Sequence, residues 1–530
     1  MHQRMRPGTL KNYLRLSGSI LIGVMLCGAD PVPQEKAPAA KKSAPGQAAA
    51  PELKPPSGLV AVSATKSEVK LRWAAGEPGA SYAVERKASG GTFSTILQGG
   101  GTAATDAKIA QYATYTYRVR AVAKDGERSA ASNEITVGPP PAGFSLAARA
   151  PEGGREGNYG RHIALTLDAN GDPAIAFVFL DPNRDMNEDD NTLYFVAWDR
   201  AKYRWKELVL VDTVGKIVNG TNQVQASASY DAAANMMGIA YQKTSEEVWL
   251  ALSSDGGATW TKDGVYRGLR EYTGLPSLAM RDGKTFLAWF HHGSGYRYAA
   301  REGNTGAFAM SAVPLPPETQ PRHLFRPSLA VDSAGQPAVA YCVRERDSAN
   351  VIAAFWRPGE EQSVKIADSN GQSGGERKFI SLAFHGTRPR VAMMLQRSRD
   401  PEMFHDFVWF AASADGKQWS EPVLVPRDGD ARWDPPLALA VDSKGRPGIL
   451  VASLGGAPAK TRAVCGLPKL AQLTAAGEWR TCSPDARKTQ EFTAWNTALV
   501  AAGNDKFYGA FVNTNADAKL GAGVVVWREQ

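Results

Sequence analysis

Hydrophobic and polar positions alternate with a period of two along most of this chain, which is the pattern of half-buried strands and not of helices. Tyr115-Thr116-Tyr117-Arg118-Val119-Arg120-Ala121 is the clearest case, with its odd positions forming one apolar face. Similar short runs occur at Leu59–Val62, Val69–Trp73, Tyr82–Arg86, Phe93–Ile96 and Glu134–Val137, with Gly, Asp and Ser clustered between them. That spacing predicts a small β-sandwich over residues 57–138.

Beyond residue 142 the pattern repeats. A small residue followed by a large one closes an apolar strand at Ala176-Phe177, Ala240-Tyr241, Ala288-Trp289, Ala340-Tyr341, Ala392-Met393, Leu450-Val451 and Ala510-Phe511, seven copies about 56 residues apart. Turn sequences precede several copies, at Asp168–Pro173, Asp332–Pro337 and Asp442–Pro447. Another apolar strand comes before each turn, and two more follow the small-large pair. Four antiparallel strands repeated seven times predict an all-β fold, a seven-bladed β-propeller over 142–530. The last repeat has only a third strand, Gly521–Trp527, while the strand at 144–150 stands unassigned at the front. The expectation is that 144–150 completes the last blade and closes the ring, which removes an open sheet edge.

Two of the turns carry a more specific mark. Ser253-Ser254-Asp255-Gly256-Gly257-Ala258-Thr259-Trp260 matches in full the Asp-box of the sialidase-like (BNR repeat) propellers, and Ser413-Ala414-Asp415-Gly416-Lys417-Gln418-Trp419 is the same box one residue shorter. The chain resembles that family. In such a box the Asp carboxylate is expected to accept turn N–H groups, Gly to take a positive φ, and Trp to pack into the blade. The box is structural and identifies no chemistry. With Trp73 on an early strand, no Cys pair, and Ser132-Asn133-Glu134 before the last strand, 57–138 resembles a fibronectin type III domain, which implies a spacer or adhesion module.

Hydrophobic residues make up 43 % of the chain and charged residues 22 %, a balance that supports a folded core. The net charge of +8 falls to +4 without residues 1–27, which hold Arg4, Arg6, Lys11 and Arg15 and no acid. No dense basic stripe with interleaved aromatics appears downstream, so nucleic-acid binding is not expected. Leu16–Leu26 is an apolar run of 11 residues, shorter than the ~20 that a spanning helix needs. It reads as a signal peptide over 1–27. Cys27 follows at once, and the segment resembles a bacterial lipoprotein signal, which implies lipidation of Cys27 and attachment to a membrane through acyl chains only. Leu26 departs from the small residue that such signals place before the Cys, so simple cleavage after Ala29 stays open. Either route leads out of the cytoplasm, to the bacterial cell envelope or beyond it. Residues 28–56, rich in Ala, Pro and Lys and free of aromatics, predict a disordered tether.

In a propeller of this strand order, the starts of the first strands and the ends of the second strands meet on one face. First-strand starts carry Arg161, His162, Tyr272, Arg326, Arg377, Trp433 and Asp434, and second-strand ends carry Gln242, His291, Arg344, Glu345, Arg397 and Asn513. Arg forks pair with carboxylates and aromatic rings stack on sugar faces, so the expected ligand is an acidic or polyhydroxylated glycan, or a cell-surface protein. The sialidase resemblance implies an alternative, an exo-glycosidase with an Arg triad, a Tyr nucleophile paired with Glu, and an Asp acid. Phe325-Arg326-Pro327 is similar to the family's Phe-Arg-Ile-Pro but lacks the Ile, and seven repeats differ from the six of sialidases. With no Tyr and Glu pair to assign, the catalytic residues stay unknown and binding leads. A non-catalytic scaffold subunit of an envelope complex is the third reading.

Asp181, Asn183, Asp185, Asn187 and Asp189 place oxygen donors at alternate positions of one loop, as Ca²⁺ prefers. Met186 and Thr192 stand where a helix-loop-helix calcium site has Gly and Glu, so either a looser Ca²⁺ site or a solvated acidic loop is expected. Cys465 and Cys482 fall on adjacent strands of the sixth repeat, where an exported compartment permits a disulfide, whereas Cys342 reads as a buried thiol. Neither Cys-x-x-Cys nor His-Glu-x-x-His occurs, which argues against zinc, and no other cofactor is expected. The chain is expected to be a monomer.

Overall fold

The structure is a computed structural model that describes residues 53–149, 161–179, 191–215, 226–269, 271–303, 305–320, 325–370, 379–395, 407–426, 432–454, 467–482, 494–513, 520 and 522–529. For Arg161, Trp433, Asp434 and Cys482 only the backbone is described. All regular structure among these residues is strand, in nine sheets with antiparallel pairing.

Two sheets make the N-terminal sandwich. One joins Ser57–Ala64, Val69–Ala74 and Ala103–Asp106; the other runs Ser94–Gly99, Ser81–Ala88, Tyr115–Val122, Ile135–Val137. Trp73, Tyr82, Val84, Tyr117 and Val119 fill the space between them. The odd positions of Tyr115–Val122 do point inward. Ala103–Asp106 escaped the sequence pattern because it is four residues long and only Asp106 is buried. There Asp106 accepts bonds from the Tyr117 hydroxyl at 2.8 Å and the Arg86 guanidinium at 2.7 Å.

The other seven sheets follow one another along the chain, each an antiparallel meander. Their first strands are Arg161–Leu167, Ala226–Asp231, Thr273–Arg281, Ser328–Val331, Ile380–His385, Arg432–Val441 and Ala494–Ala501. Each first strand lies against that of the next sheet, and the seventh lies against the first, so the sheets close into a ring. A ring of radially repeated antiparallel sheets is a β-propeller. The seventh sheet has the order Ala494–Ala501, Phe507–Asn513, Gly523–Arg528, Gly143–Arg149. Its last ladder runs from Gly523 opposite Arg149 to Arg528 opposite Gly143, so a strand from the front of the ring covers the edge left at its end.

Two repeated devices hold neighbouring sheets together. Near the axis, Ser227 Oγ accepts the Leu278 N–H at 3.0 Å, Ser277 Oγ that of Leu329 at 2.9 Å, Ser328 Oγ that of Leu382 at 2.9 Å, and Ser381 Oγ that of Leu439 at 3.0 Å. Each serine thereby satisfies a backbone donor of the next sheet, in place of a ladder partner. Farther out, Trp260 stands edge-on to Phe195 of the preceding sheet with ring centroids 5.0 Å apart, and Trp419 to Phe355 at 5.3 Å. Trp479 repeats this against Phe410 at 5.4 Å. The tryptophans therefore pack across the seam between sheets. The reason is that the turn before each fourth strand overhangs the third strand of the sheet before.

The sandwich is welded to the ring. Tyr112 OH accepts the Gly503 N–H at 2.7 Å, and Arg528 donates to Tyr112 O at 3.0 Å and Pro140 O at 2.6 Å. Gln111 donates to Asn170 O at 3.1 Å, and Trp198 Nε1 to Gly138 O at 2.8 Å. Asn170 and Gly503 both sit in turns between first and second strands, so the sandwich occupies the face of the ring opposite the first-strand starts.

Candidate functional site

On that other face the register places Ala226 opposite Tyr241, Thr273 opposite His291, and Gln320 and Thr319 opposite Arg344 and Glu345. Antiparallel pairing thus brings the second-strand ends of three consecutive sheets to one edge. The best-defined cluster lies between the second and third sheets. Tyr272 donates its hydroxyl to Gln242 Oε1 at 3.2 Å, and the His292 N–H donates to Tyr272 O at 2.8 Å. Gly274 makes this approach feasible, since a Cβ there would stand 2.3 Å from Gln242 Oε1. Gln242 Nε2 is buried and has no hydrogen-bond partner among the described residues. His291 Nδ1 lies 2.8 Å from Ser294 Oγ and 3.4 Å from Glu271 Oε2, with the Tyr266 ring edge-on 5.5 Å away. Glu271 and Ser294 are exposed.

The electrostatics of the pair are one-sided. Burial pushes the Tyr272 phenol well above its ordinary pKa, and its bonded neighbour is an amide with no basic atom to receive a proton. Tyr272 is therefore a neutral phenol at physiological pH, suited to hydrogen bonding and ring contact. Glu271 carries the open negative charge of the cluster, beside His291.

Other residues singled out in the sequence lie elsewhere. His162 is 1 % exposed with φ 69°, so it is not presented on the rim. The cause is an irregularity in the ladder between Ala176 and Val178, where the first strand turns that side chain inward. Arg326 points toward the axis, where its guanidinium bonds carbonyls of the two preceding sheets. Arg344 and Glu345 reach the expected edge but are occupied with their own hairpin, Arg344 Nε donating to Ser348 O at 2.8 Å and Asn350 Nδ2 to Glu345 Oε2 at 3.3 Å. The backbones of Arg161, Trp433 and Asp434 fall on first strands. Arg377, Arg397, the loop carrying Asp181, Asn183, Asp185, Asn187 and Asp189, Cys27 and Cys465 lie outside the described residues. Among the described residues no group of three or more His, Cys, Asp or Glu side chains is placed to hold a metal ion.

Sequence reasoning passed over Glu271 and Ser294. Glu271 adjoins Tyr272, and Ser294 follows the paired histidines, but only the folded hairpin sets both against His291. The Ser253–Trp260 turn belongs to the opposite face. Asp255 Oδ1 accepts the Ala258 and Thr259 N–H groups at 2.9 and 3.0 Å, and Oδ2 accepts the Thr259 hydroxyl at 2.6 Å. Ser253 Oγ accepts the Gly257 N–H at 2.8 Å. The Ser413–Trp419 turn repeats the scheme, with Asp415 Oδ1 accepting from Lys417 and Gln418 and Ser413 Oγ accepting the Gly416 N–H.

No family model and no curated protein matches this chain. Among solved structures, the GH93 alpha-L-arabinofuranosidase of Fusarium graminearum is similar over 73 % of this chain and 97 % of its own, at 10 % identity and a TM-score of 0.41. A leech intramolecular trans-sialidase is similar over 89 % of this chain and 91 % of its own, at 12 % identity and a TM-score of 0.37. An Fn3-like protein from Clostridium thermocellum matches 15 % of this chain with 86 % of its own, at 38 % identity and a TM-score of 0.14.

Proposed function

We propose that this protein is an exported, lipid-anchored glycan-binding protein, built as a seven-bladed sialidase-like propeller on a fibronectin type III module, and that its rim binds sugar without hydrolysing it. The observation that carries the reading is the Tyr272–Gln242 pair at 3.2 Å. Nucleophilic catalysis by a phenol needs a neighbouring base, and an amide is not one. The cluster suits recognition: a protonated phenol and the exposed Glu271 carboxylate are donor and acceptor types that sugar hydroxyls match.

A lipid at Cys27 and a tether over 28–56 would precede the sandwich, which contacts the face of the ring opposite this cluster. The test combines retention on an immobilised glycan array with release of product from fluorogenic glycosides, including sialosides. Retention that falls at least tenfold in Tyr272→Phe and Glu271→Gln, with no product from any glycoside, supports the reading. Product release by the wild type that is lost in Glu271→Gln overturns it in favour of a hydrolase. Loss of neither function in these variants, with a protein captured by the ring, overturns it in favour of a scaffold.

A further inference from the structure

The first strands of the ring line a cavity of 210 Å³ on the axis that opens to solvent, and its described lining includes no acidic residue. One cation enters it. Arg326 donates from Nε and Nη2 to Pro276 O at 3.3 and 3.2 Å, and from Nη2 to Ala226 O at 3.3 Å, so its guanidinium crosses one sheet to reach another. Nη1 has no acceptor among the described residues, and no carboxylate pairs with this guanidinium there. Burial pulls the pKa of Arg326 down to about 10. It stays charged at neutral pH all the same.

The rest of the lining adds donors. Ser227, Ser277, Ser328 and Ser381 all border the cavity, and each hydroxyl oxygen already accepts a backbone N–H of the next sheet. Each hydroxyl retains its own proton, which has no acceptor among the described residues. A half-buried cation with no carboxylate partner among the described residues, set among hydroxyl donors that lack acceptors there, favours an anion, because water at roughly 30 Å³ per molecule can accept these protons but brings no countercharge.

We propose that the axial cavity is a binding site for a small inorganic anion, held by Arg326 Nη1 with serine hydroxyls of the first strands as further donors. The anion neutralises the guanidinium and ties several sheets to one charge, which makes it a stabilising ligand of the closed ring. The described lining of this site includes none of Tyr272, Gln242, Glu271 and His291, and the site needs no glycan.

The test uses the full chain at neutral pH. The thermal midpoint is followed while sodium gluconate is replaced by sodium bromide, or by phosphate, at constant ionic strength. A saturable rise of several degrees in the wild type, flat in Arg326→Met and reduced in Ser277→Ala, is expected. Bromide-soaked crystals should then show an anomalous peak within about 3.5 Å of Arg326 Nη1. A larger response to phosphate than to bromide assigns an oxyanion, and the reverse a halide. Should Arg326→Met fail to fold, Arg326→Lys serves in its place, with a weakened dependence expected. Equal responses of wild type and variant, or only water in the cavity, overturn the proposal. A peak in soaked crystals without the dependence in solution marks an adventitious ion only and overturns it as well.

Discussion

Arg200 and Asp172 form a two-pronged ion pair, Nε to Oδ2 and Nη2 to Oδ1 both at 2.7 Å, with side chains 3 % and 0 % exposed. The third prong of the same guanidinium, Nη1, donates to Gln111 O of the sandwich at 2.7 Å. One buried cation thus ties the first turn of the ring to the domain below it. Breaking a buried pair strands the remaining charge, at a cost of about 3–5 kcal/mol. Asp172→Ala should lower stability by that order in chemical denaturation, and should open the segment around Gly138 to limited proteolysis before the ring unfolds.

The same carboxyl has a pH signature. Burial pushes the Asp172 pKa from 3.8 up to about 6, against the pull of Arg200. The folded state therefore holds this proton more tightly than the unfolded state. Its contribution is complete below about pH 4 and is lost as pH rises to about 6. The denaturation midpoint of Asp172→Asn minus that of the wild type should rise across this window, and a difference that is constant with pH would contradict the assignment.

Asp255 behaves in the opposite sense. The Thr259 hydroxyl and N–H, with Ser253, hold its carboxyl well below the usual range of 3.8. The stabilisation is present above that ordinary value and fades as pH falls through the folded one. Carbon-detected NMR titration should find Asp255 ionised under conditions where surface aspartates are protonated, and Thr259→Val should move it upward.

Gly257 and Gly416 test the clasp between sheets. Their φ values are 88° and 83°, and an added Cβ would stand 2.0 Å from Phe195 Cε1 and 2.6 Å from Phe355 Cε1. A left-handed Ala costs about 1–2 kcal/mol and overpacking about 1–3 more, so Gly257→Ala should lose about 2–5 kcal/mol. Gly256, also at positive φ but 3.9 Å from its nearest neighbour, should tolerate Ala with only the first cost. Equal losses at the two positions in urea denaturation would remove the packing explanation.

The axial serines give a local readout. Ser277→Ala deprives the buried Leu329 N–H of its acceptor, at a cost of about 1–3 kcal/mol. Hydrogen exchange at Leu329 should accelerate more than at Leu382, whose acceptor is Ser328.

Much of the architecture was legible in the residues themselves. The Asp-x-x-Gly-x-Pro turns name their own conformation: Asp168, Asp332 and Asp442 each accept the N–H groups two and four residues on. The small-large pairs are buried in the second strands, as at Ala176-Phe177, Ala240-Tyr241 and Ala510-Phe511. Side-chain direction at the strand starts was far less legible. His162 and Arg326 share the rim's sequence position with Tyr272, yet an irregular ladder turns one inward and the axis draws in the other.

By itself, then, the sequence determined the strand periodicity and the turns, because period-two alternation and turn chemistry are local properties of a few neighbouring residues. Only the tertiary structure decided which side chains share a surface. Tyr272 meets Gln242, Trp260 meets Phe195, and Arg326 crosses to Ala226, each through contacts between different sheets, and such contacts depend on how the sheets are rotated about the axis.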